Sequence, residues 1–197
     1  MRISRETAEA NRARVLAAAA RLFREKGVDG IAVADLMKEA GLTHGGFYNH
    51  FESKEELAAA AFDAAFAAAI ERLQGKIAKA GPRGRRQALE HYVERYLARE
   101  TRDRPGLSCP MATLGTDAVR HGAALKEEFA AGVRRYLELF AELMPSEGPR
   151  GRREAIATLS ALIGALTLSR ACAGADDTLA DEVLAAVRKE INSRSRG

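Results

Sequence analysis

Apolar side chains recur every three to four residues through almost the whole chain, which is the period of an α-helix. The first stripe of this kind consists of Val15, Leu16, Ala19, Leu22 and Phe23. Ala, Leu, Glu and Arg dominate the sequence, whereas the β-branched runs and tight Asn-Gly turns of hairpins are absent. The pattern predicts an all-α protein, with its first helix ending at Gly27.

The next three segments predict two short helices and one long one. A helix over residues 33–40 is followed by a turn at Gly41, and a third helix begins at Thr43. Ser53 and Glu56 then form a capping box, in which the serine side chain and the glutamate three residues later satisfy free N–H groups. A long Ala-rich helix should therefore start after Ser53 and run to about residue 79.

A Gly- and Pro-rich stretch at residues 81–84 separates these helices from the rest of the chain. We predict a fifth helix through residues 89–97, a sixth over 110–120 with Pro110 in its first turn, and a seventh over 123–144. After a loop at 145–151, the last two helices cover residues 152–173 and 177–192. The chain is thus interpreted as a three-helix head, residues 1–52, and a body of about six helices, residues 53–197.

The eighth helix is apolar or small nearly all round, and the ninth carries a similar stripe. Such helices need cover on two sides, which a second copy of the chain supplies most simply as a four-helix bundle. We therefore predict a homodimer. Its predicted interface residues are Ile156, Leu159, Ile163, Leu166, Val183, Leu184 and Val187.

Composition narrows the class of protein. The chain has 197 residues, of which 47% are hydrophobic and 29% charged, as expected for a globular domain. Its N-terminus lacks the apolar region of a signal peptide and charges interrupt the apolar runs, so we expect a cytoplasmic protein without a membrane partner. Two cysteines predict neither a disulfide framework nor a zinc site, and no cofactor or metal is expected.

Two short helices joined by a glycine turn and preceded by a supporting helix are typical of a helix-turn-helix, here residues 33–51. The segment GLTHGGFYNHFESKEEL, residues 41–57, resembles the signature of the TetR family of bacterial regulators. The resemblance covers residues of about 12 to 60, and beyond them only helix count and the dimer-like last helices. It implies a dimeric, usually repressing protein that binds a palindromic operator and leaves it when its C-terminal domain binds a small effector.

The chemistry of the third helix agrees with DNA binding. The Thr43 hydroxyl and the free N–H groups beside it can hold a phosphate, and His44 can reach a base edge. Two poor helix formers, Gly45 and Gly46, indicate close approach to DNA. The predicted DNA-binding set is Thr43, His44, Gly45, Gly46, Tyr48, Asn49, His50 and Lys54, whereas Phe47 and Phe51 belong to the core.

Alternatives to these roles remain open. The histidines could be solvated, Tyr48 could pack, and Lys54 could be an ordinary surface residue. Family members commonly carry Ser or Thr before the second helix, where this chain has Ile31 and Ala32, so that phosphate contact is expected to be lost. The first 51 residues hold eight basic and six acidic side chains, a net charge of +2, so two linked heads should be needed for tight binding.

An effector pocket is predicted in the body from aromatic and polarizable side chains, with plain core as the alternative. Its residues are Tyr92, Tyr96, Cys109, Met111, Leu114, Phe129 and Tyr136. Cys109 precedes Pro110 at a helix N-terminus, where a lowered pKa would favour a thiolate, and Arg102 and Arg104 lie close in sequence. Release from DNA by thiol modification is therefore a second hypothesis, beside an inert cysteine.

Two other classes of protein compete with a regulator. An enzyme would need Cys109 as nucleophile with His91 or His121 as base. The sequence has no phosphate-binding loop, no metal-spaced histidines and no nucleophile elbow, so an enzyme is not expected. An architectural protein that binds DNA without an effector is the stronger alternative.

Overall fold

The computed structural model describes residues 5–194, which form α-helices and short 3-10 turns without a strand. The α-helices are α1 (Arg5–Lys26), α2 (Val33–Glu39), α3 (Lys54–Ala80), α4 (Arg85–Tyr96), α5 (Arg99–Asp103), α6 (Met111–Arg120), α7 (Ala123–Ala141), α8 (Gly148–Cys172) and α9 (Asp177–Arg194). The predicted all-α fold is confirmed. Arg2, counted in the charge of the head, and most of the N-terminus used to predict localisation lie outside the described residues.

Three helix predictions were wrong in detail. The third helix of the head is a 3-10 turn, His44–Asn49, because two adjacent glycines disfavour an α-helix in so short a segment. Residues 148–151 belong to α8 rather than to a loop, since Pro149 occupies the first turn, where its missing N–H costs nothing. The short helix α5 was not predicted, because five residues are too few to show a period.

Two hydrophobic clusters form the interior, and α3 passes through both. Leu57 and Phe62 near its start pack with α1 and α2, whereas Phe66 and Leu73 pack with the body helices. Helices α3 and α7 pack closely, since a Cβ on Gly132 would lie 2.3 Å from the Phe66 ring. The core of the head thus continues past residue 52 into α3, and the predicted boundary stays a prediction.

Head and body meet where α1 ends. The backbone N–H of Val28 donates to the Asp117 carboxylate of α6 at 2.8 Å, and Arg24 of α1 donates to the Ser108 carbonyl at 3.1 Å. The Ser108 hydroxyl in turn accepts from Arg170 of α8 at 2.7 Å. The segment just before α6 is therefore hydrogen-bonded both to the head and to the penultimate helix.

The apolar residues of α8 and α9 that face outward differ from the predicted interface set. Leu159, Leu166 and Leu184 are buried within the protomer's own core. Ile163, Val183 and Val187 are half-buried. The outward-facing large apolar side chains are Ile156, Leu168 and Leu179, which are 43%, 59% and 43% exposed. The prediction erred because an all-round apolar helix does not show in sequence which side its own core covers.

Within residues 5–194, α8 is also the one helix long and apolar enough to cross a membrane, judged by length and composition alone. One face of α8 packs on α9, where the Ser169 hydroxyl donates to the Ala180 carbonyl at 2.8 Å inside the core. A core helix with one uncovered face passes the same test of length and composition, so the result is weak evidence for a membrane span.

Candidate functional site

The predicted reading segment begins with α2 and a glycine turn. Gly41 adopts φ = 68°, a left-handed conformation that side chains disfavour, and the N–H of Leu42 donates back to the Met37 carbonyl at 2.8 Å. The N-cap of α2 is Ala32, whose side chain makes no capping bond, as predicted from the absence of Ser or Thr there. The 3-10 segment, His44–Asn49, begins directly after this turn.

The 3-10 turn is anchored by aromatic side chains and open on its other side. Phe47 and Phe51 are buried, as predicted, while Tyr48 is 70% exposed and packs edge-on against Phe47 with 5.2 Å between ring centroids. Packing alone therefore does not account for Tyr48. Thr43, at the N-cap, makes no side-chain capping bond.

Neither glycine of the turn is required by packing inside the protein. A Cβ on Gly45 would meet nothing within 4 Å, and one on Gly46 would come no nearer than 3.6 Å to Met37. Both residues have φ values outside the left-handed region. Packing within the protomer therefore leaves room for a side chain at 45 and 46, which is compatible with the predicted close approach to DNA.

The start of α3 supports the far end of the turn. The Ser53 hydroxyl accepts from the Glu56 N–H at 3.0 Å, and the Glu56 carboxylate accepts from the Glu52 N–H at 2.6 Å. The predicted capping box is confirmed, with the glutamate reaching one residue further back than expected. Lys54 follows as the first residue of α3 and is half-buried, beside the exposed turn.

Several cations of the head are engaged within it. Arg21 pairs with Glu25 at 3.0 Å and also with Glu39, while Arg12 lies 4.5 Å from the centre of the Phe51 ring. The charge of Arg21 is thus balanced by carboxylates within the head. The expectation that one head alone binds weakly stays a prediction.

The body contains a cavity of about 570 Å³ among α3, α4, α7 and the segment before α6. Four predicted effector residues line it, namely Tyr92, Tyr96, Cys109 and Tyr136. Met111 and Phe129 pack in the core beside it, and Leu114 lies in the cluster of the head, so these three do not line the cavity. The apolar pattern could not distinguish them, because core and pocket residues repeat with the same period.

Cys109 does not have the predicted activated thiol. Its pKa is raised, because burial outweighs the Tyr96 hydroxyl, two N–H groups of α6 and the charge of Arg170, all of which lower it. Arg102, expected to help, pairs instead with Asp103 at 2.6 Å. The position at a helix N-terminus is thus insufficient to lower the pKa of Cys109, and the thiol is protonated at neutral pH.

The predicted enzyme alternative gains no support from geometry. His121 lies 3.5 Å from Asp29 and 3.9 Å from Asp117 at the junction of head and body. His91 is exposed at the rim of the cavity. Among residues 5–194, no cluster of three His, Cys, Asp or Glu side chains suits a metal ion.

Basic residues at the cavity were missed by the sequence reasoning. Arg72, Lys76 and Lys79 line it from α3, and Arg95 lines it from α4. Their spacing along α3, of four and then three residues, places them on one helix face. The spacing of these basic residues could have indicated the cavity from the sequence, although the same spacing is also typical of a solvated helix face.

Comparisons with known proteins find a likeness in sequence near the N-terminus and a likeness in structure over most of the chain. Residues 15–61 match the tetR family of bacterial regulatory proteins. Over 63 residues, 32% of this chain, the sequence is 40% identical to the HTH-type transcriptional regulator TtgR of Pseudomonas putida, and that segment covers 30% of TtgR. The likeness in sequence is therefore concentrated in the head.

The likeness in structure extends over head and body. A TetR transcriptional regulator from Chloroflexus aurantiacus superposes with a TM-score of 0.75 at 26% identity, over 95% of both chains. The reduced form of Escherichia coli NemR gives a TM-score of 0.72 at 19% identity, over 91% of this chain and 95% of that one. The body therefore shares its fold with proteins whose sequences have diverged from it.

Proposed function

We propose that the chain is a DNA-binding transcriptional regulator of the tetR family, whose family model matches residues 15–61, and that it acts as a homodimer. The observation that carries the proposal is the turn His44–Asn49, which is fixed by Phe47 yet presents polar side chains and two unconstrained glycines outward. The curated relatives that it matches are transcriptional regulators, in line with the expectation that it is not an enzyme.

In this proposal the exposed turn enters a major groove. Thr43 and Lys54 flank the turn and contact phosphates, His44 reads a base edge, and Tyr48 and His50 contact the backbone. Asn49 is exposed on the same turn and completes the set. Because each head carries little net positive charge, recognition depends on two heads held at the spacing of a palindromic operator.

Selection from a pool of random duplex DNA tests this proposal. We expect enrichment of a palindrome, and about a tenfold loss of affinity for it in His44→Ala, since a good base contact contributes roughly 1–3 kcal/mol. Lys126→Ala, an exposed cation on α7, is the matched control and should bind as the wild type does. Scattered binding without a preferred palindrome would favour the architectural alternative instead.

The outward face of α8 and α9 supports the homodimer. Ile156, Leu168 and Leu179 are the large apolar side chains exposed there, and exposed apolar patches of this kind mark interfaces. Leu168→Glu should convert the dimer to a folded monomer in sedimentation analysis. Val119→Glu is the matched control, because Val119 is 74% exposed and lies on α6 rather than on α8 or α9. Equal sedimentation of both variants and the wild type would refute the interface.

We further propose that the protein represses and that a small effector in the cavity releases it. Ser108 lines the cavity and is hydrogen-bonded to α1 through Arg24 and to α8 through Arg170. Displacement of Ser108 by a ligand would change the position of the head relative to the dimer helices. A reporter gene behind the selected operator, induced by the ligand in cells, tests repression and release together, and activation in the absence of ligand would contradict it.

The chemistry of Cys109 favours effector release over thiol modification. A protonated, half-buried thiol reacts slowly, because the thiolate is the nucleophile. Operator affinity should therefore be unchanged by brief treatment with iodoacetamide at pH 7, in the wild type as in Cys109→Ser. A loss of affinity confined to the alkylated wild type would restore the thiol hypothesis.

A further inference from the structure

The cavity in the body has the size of a small-ligand site, and its lining carries more positive than negative charge. Its volume of about 570 Å³ lies within the range of roughly 300–1,000 Å³ usual for ligand pockets. Four side chains with permanent or near-permanent positive charge line it, namely Arg72, Lys76, Lys79 and Arg95. The one carboxylate in the lining is Glu71.

These cations have no anionic partner among the described residues. None of the four forms an ion pair with any residue from 5 to 194, although most other arginines at inter-helix contacts do. Burial, then Arg95 and then Arg72, lower the pKa of Lys76, as expected where positive charges lie near one another. Arg72, Lys79 and Arg95 are exposed and Lys76 is half-buried, so an anion that enters the cavity would be attracted by charges that no carboxylate neutralises.

The floor of the cavity is aromatic. The rings of Tyr92 and Tyr96 lie 5.6 Å apart between centroids, and the Lys76 ammonium lies 5.6 Å above the centre of the Tyr92 ring. The Tyr136 hydroxyl bonds the Tyr92 hydroxyl at 2.8 Å. Flat aromatic surface beneath a cation suits a ligand with a flat apolar body and an acidic group at one end.

One hydroxyl in the floor has a thiol as its polar neighbour and no stronger partner among the described residues. The Tyr96 hydroxyl is buried and bonds to no oxygen or nitrogen among the described residues, while its polar neighbour is the thiol of Cys109, a weak acceptor. Because Tyr96 is 6% exposed and lines the cavity, water reaches its hydroxyl poorly. A buried hydroxyl with so weak an acceptor would gain from a stronger acceptor supplied by a ligand.

We propose that the cavity binds a small aromatic acid, whose anionic group lies among Arg72, Lys76 and Arg95 and whose ring lies on Tyr92 and Tyr96. The inference rests on the proposed function in one respect, that this ligand is the effector. A cationic ligand would face four like charges and one carboxylate. A neutral ligand would leave the cations unpaired.

Two naphthalene dyes give a direct test on the intact protein. 8-Anilino-1-naphthalenesulfonate carries a sulfonate, and N-phenyl-1-naphthylamine has the same aromatic body without it, so their fluorescence titrations isolate the charge. We expect the anionic dye to bind at least about tenfold more tightly, since hydrogen bonds to charged groups contribute about 1.5–3 kcal/mol each. Lys76→Gln combined with Arg95→Gln should remove about that factor and leave the neutral dye unaffected.

A second cavity in the chain provides the matched control. It has about 460 Å³, is lined by Leu89, Met144 and Ile191 among others, and contains Arg150. Arg150→Gln should leave the binding of both dyes unchanged. A loss of the anionic dye in Arg150→Gln rather than in the Lys76 and Arg95 variant, or equal affinities for the two dyes in the wild type, would overturn the proposal.

The test separates this inference from the proposed function. The Lys76 and Arg95 variant should keep its affinity for the selected operator while losing the anionic dye, because neither residue belongs to the head. Failure of the wild type to select any operator would refute DNA binding and leave the dye result standing. Thermal unfolding of each variant excludes a loss of dye binding through loss of the fold.

Discussion

Asp117 is the residue whose removal best tests how the head is held on the body. Its carboxylate accepts from the Val28 N–H at 2.8 Å, and both residues are nearly inaccessible, Val28 at 3% and the Asp117 side chain at 13% exposed. Asp117→Ala leaves that N–H buried and unpaired. Because Val28 follows the last turn of α1, the loss falls on the connection between α1 and α6.

The expected cost is about 2 kcal/mol of unfolding free energy, the middle of the range for a buried donor left without its acceptor. With a urea dependence of about 2 kcal/mol per molar, the midpoint of urea unfolding should fall by about 1 M. Asp117→Asn keeps an oxygen acceptor but loses its charge, so its cost should be about half. Far-UV circular dichroism at one fixed protein concentration measures all variants, because dimerisation makes stability depend on concentration.

Glu138→Ala is the matched control, since Glu138 is an exposed acidic residue on α7 for which no bond is seen, and its midpoint should stay near that of the wild type. A fall of less than about 0.2 M in Asp117→Ala, which corresponds to about 0.4 kcal/mol at that slope, would show that the bond contributes nothing. Equal falls in Asp117→Ala and Asp117→Asn would show that the charge beside His121, not the bond to Val28, is what matters.

Three further predictions use the same unfolding assay. Ser53→Ala should cost about 1 kcal/mol by removing the cap of α3, whereas Ser53→Asp should restore it. Gly132→Ala should cost about 2–3 kcal/mol, since its Cβ would overlap the Phe66 ring, and a stable variant would refute the close packing. Tyr136→Phe should cost about 1–2 kcal/mol by leaving the Tyr92 hydroxyl unpaired, and the double Phe variant should recover part of it. Burial raises the pKa of both phenols, so the folded protein holds their protons more tightly and should lose stability as pH rises past about 10, less steeply in the double variant.

The head was predictable from sequence because its signals are local. The capping box of Ser53 and Glu56 spans three residues, and the turn at Gly41 needs one residue that tolerates positive φ. The one local error, an α-helix in place of the 3-10 turn, came from extending the period through Gly45 and Gly46. Those glycines disfavour the α-helix that the pattern suggested.

The helices of the body could be predicted from sequence, but the face that each helix buries within the protomer could not. Leu159 and Leu168 lie on the same apolar helix, yet the first is buried in the core and the second is 59% exposed. Only the packing of α8 within its own protomer distinguishes them. The basic stripe that begins at Arg72 also looks like solvated surface until Arg95, 23 positions further along the chain, joins it at the same cavity.

The contacts that connect cavity and head explain why such information is absent from any local pattern. Arg24 and Ser108 are 84 positions apart, and Ser108 and Arg170 are 62 apart, yet the three meet at one point beside the cavity. Burial and then the nearby charge of Arg72 lower the pKa of Arg24, so a cation of the cavity and a cation of the head junction already act on each other. An anion bound beside Arg72 would weaken that repulsion and change the free energy of the junction even without displacing Ser108. If the cavity holds the proposed effector, the charge of that ligand as well as its shape would act on the head.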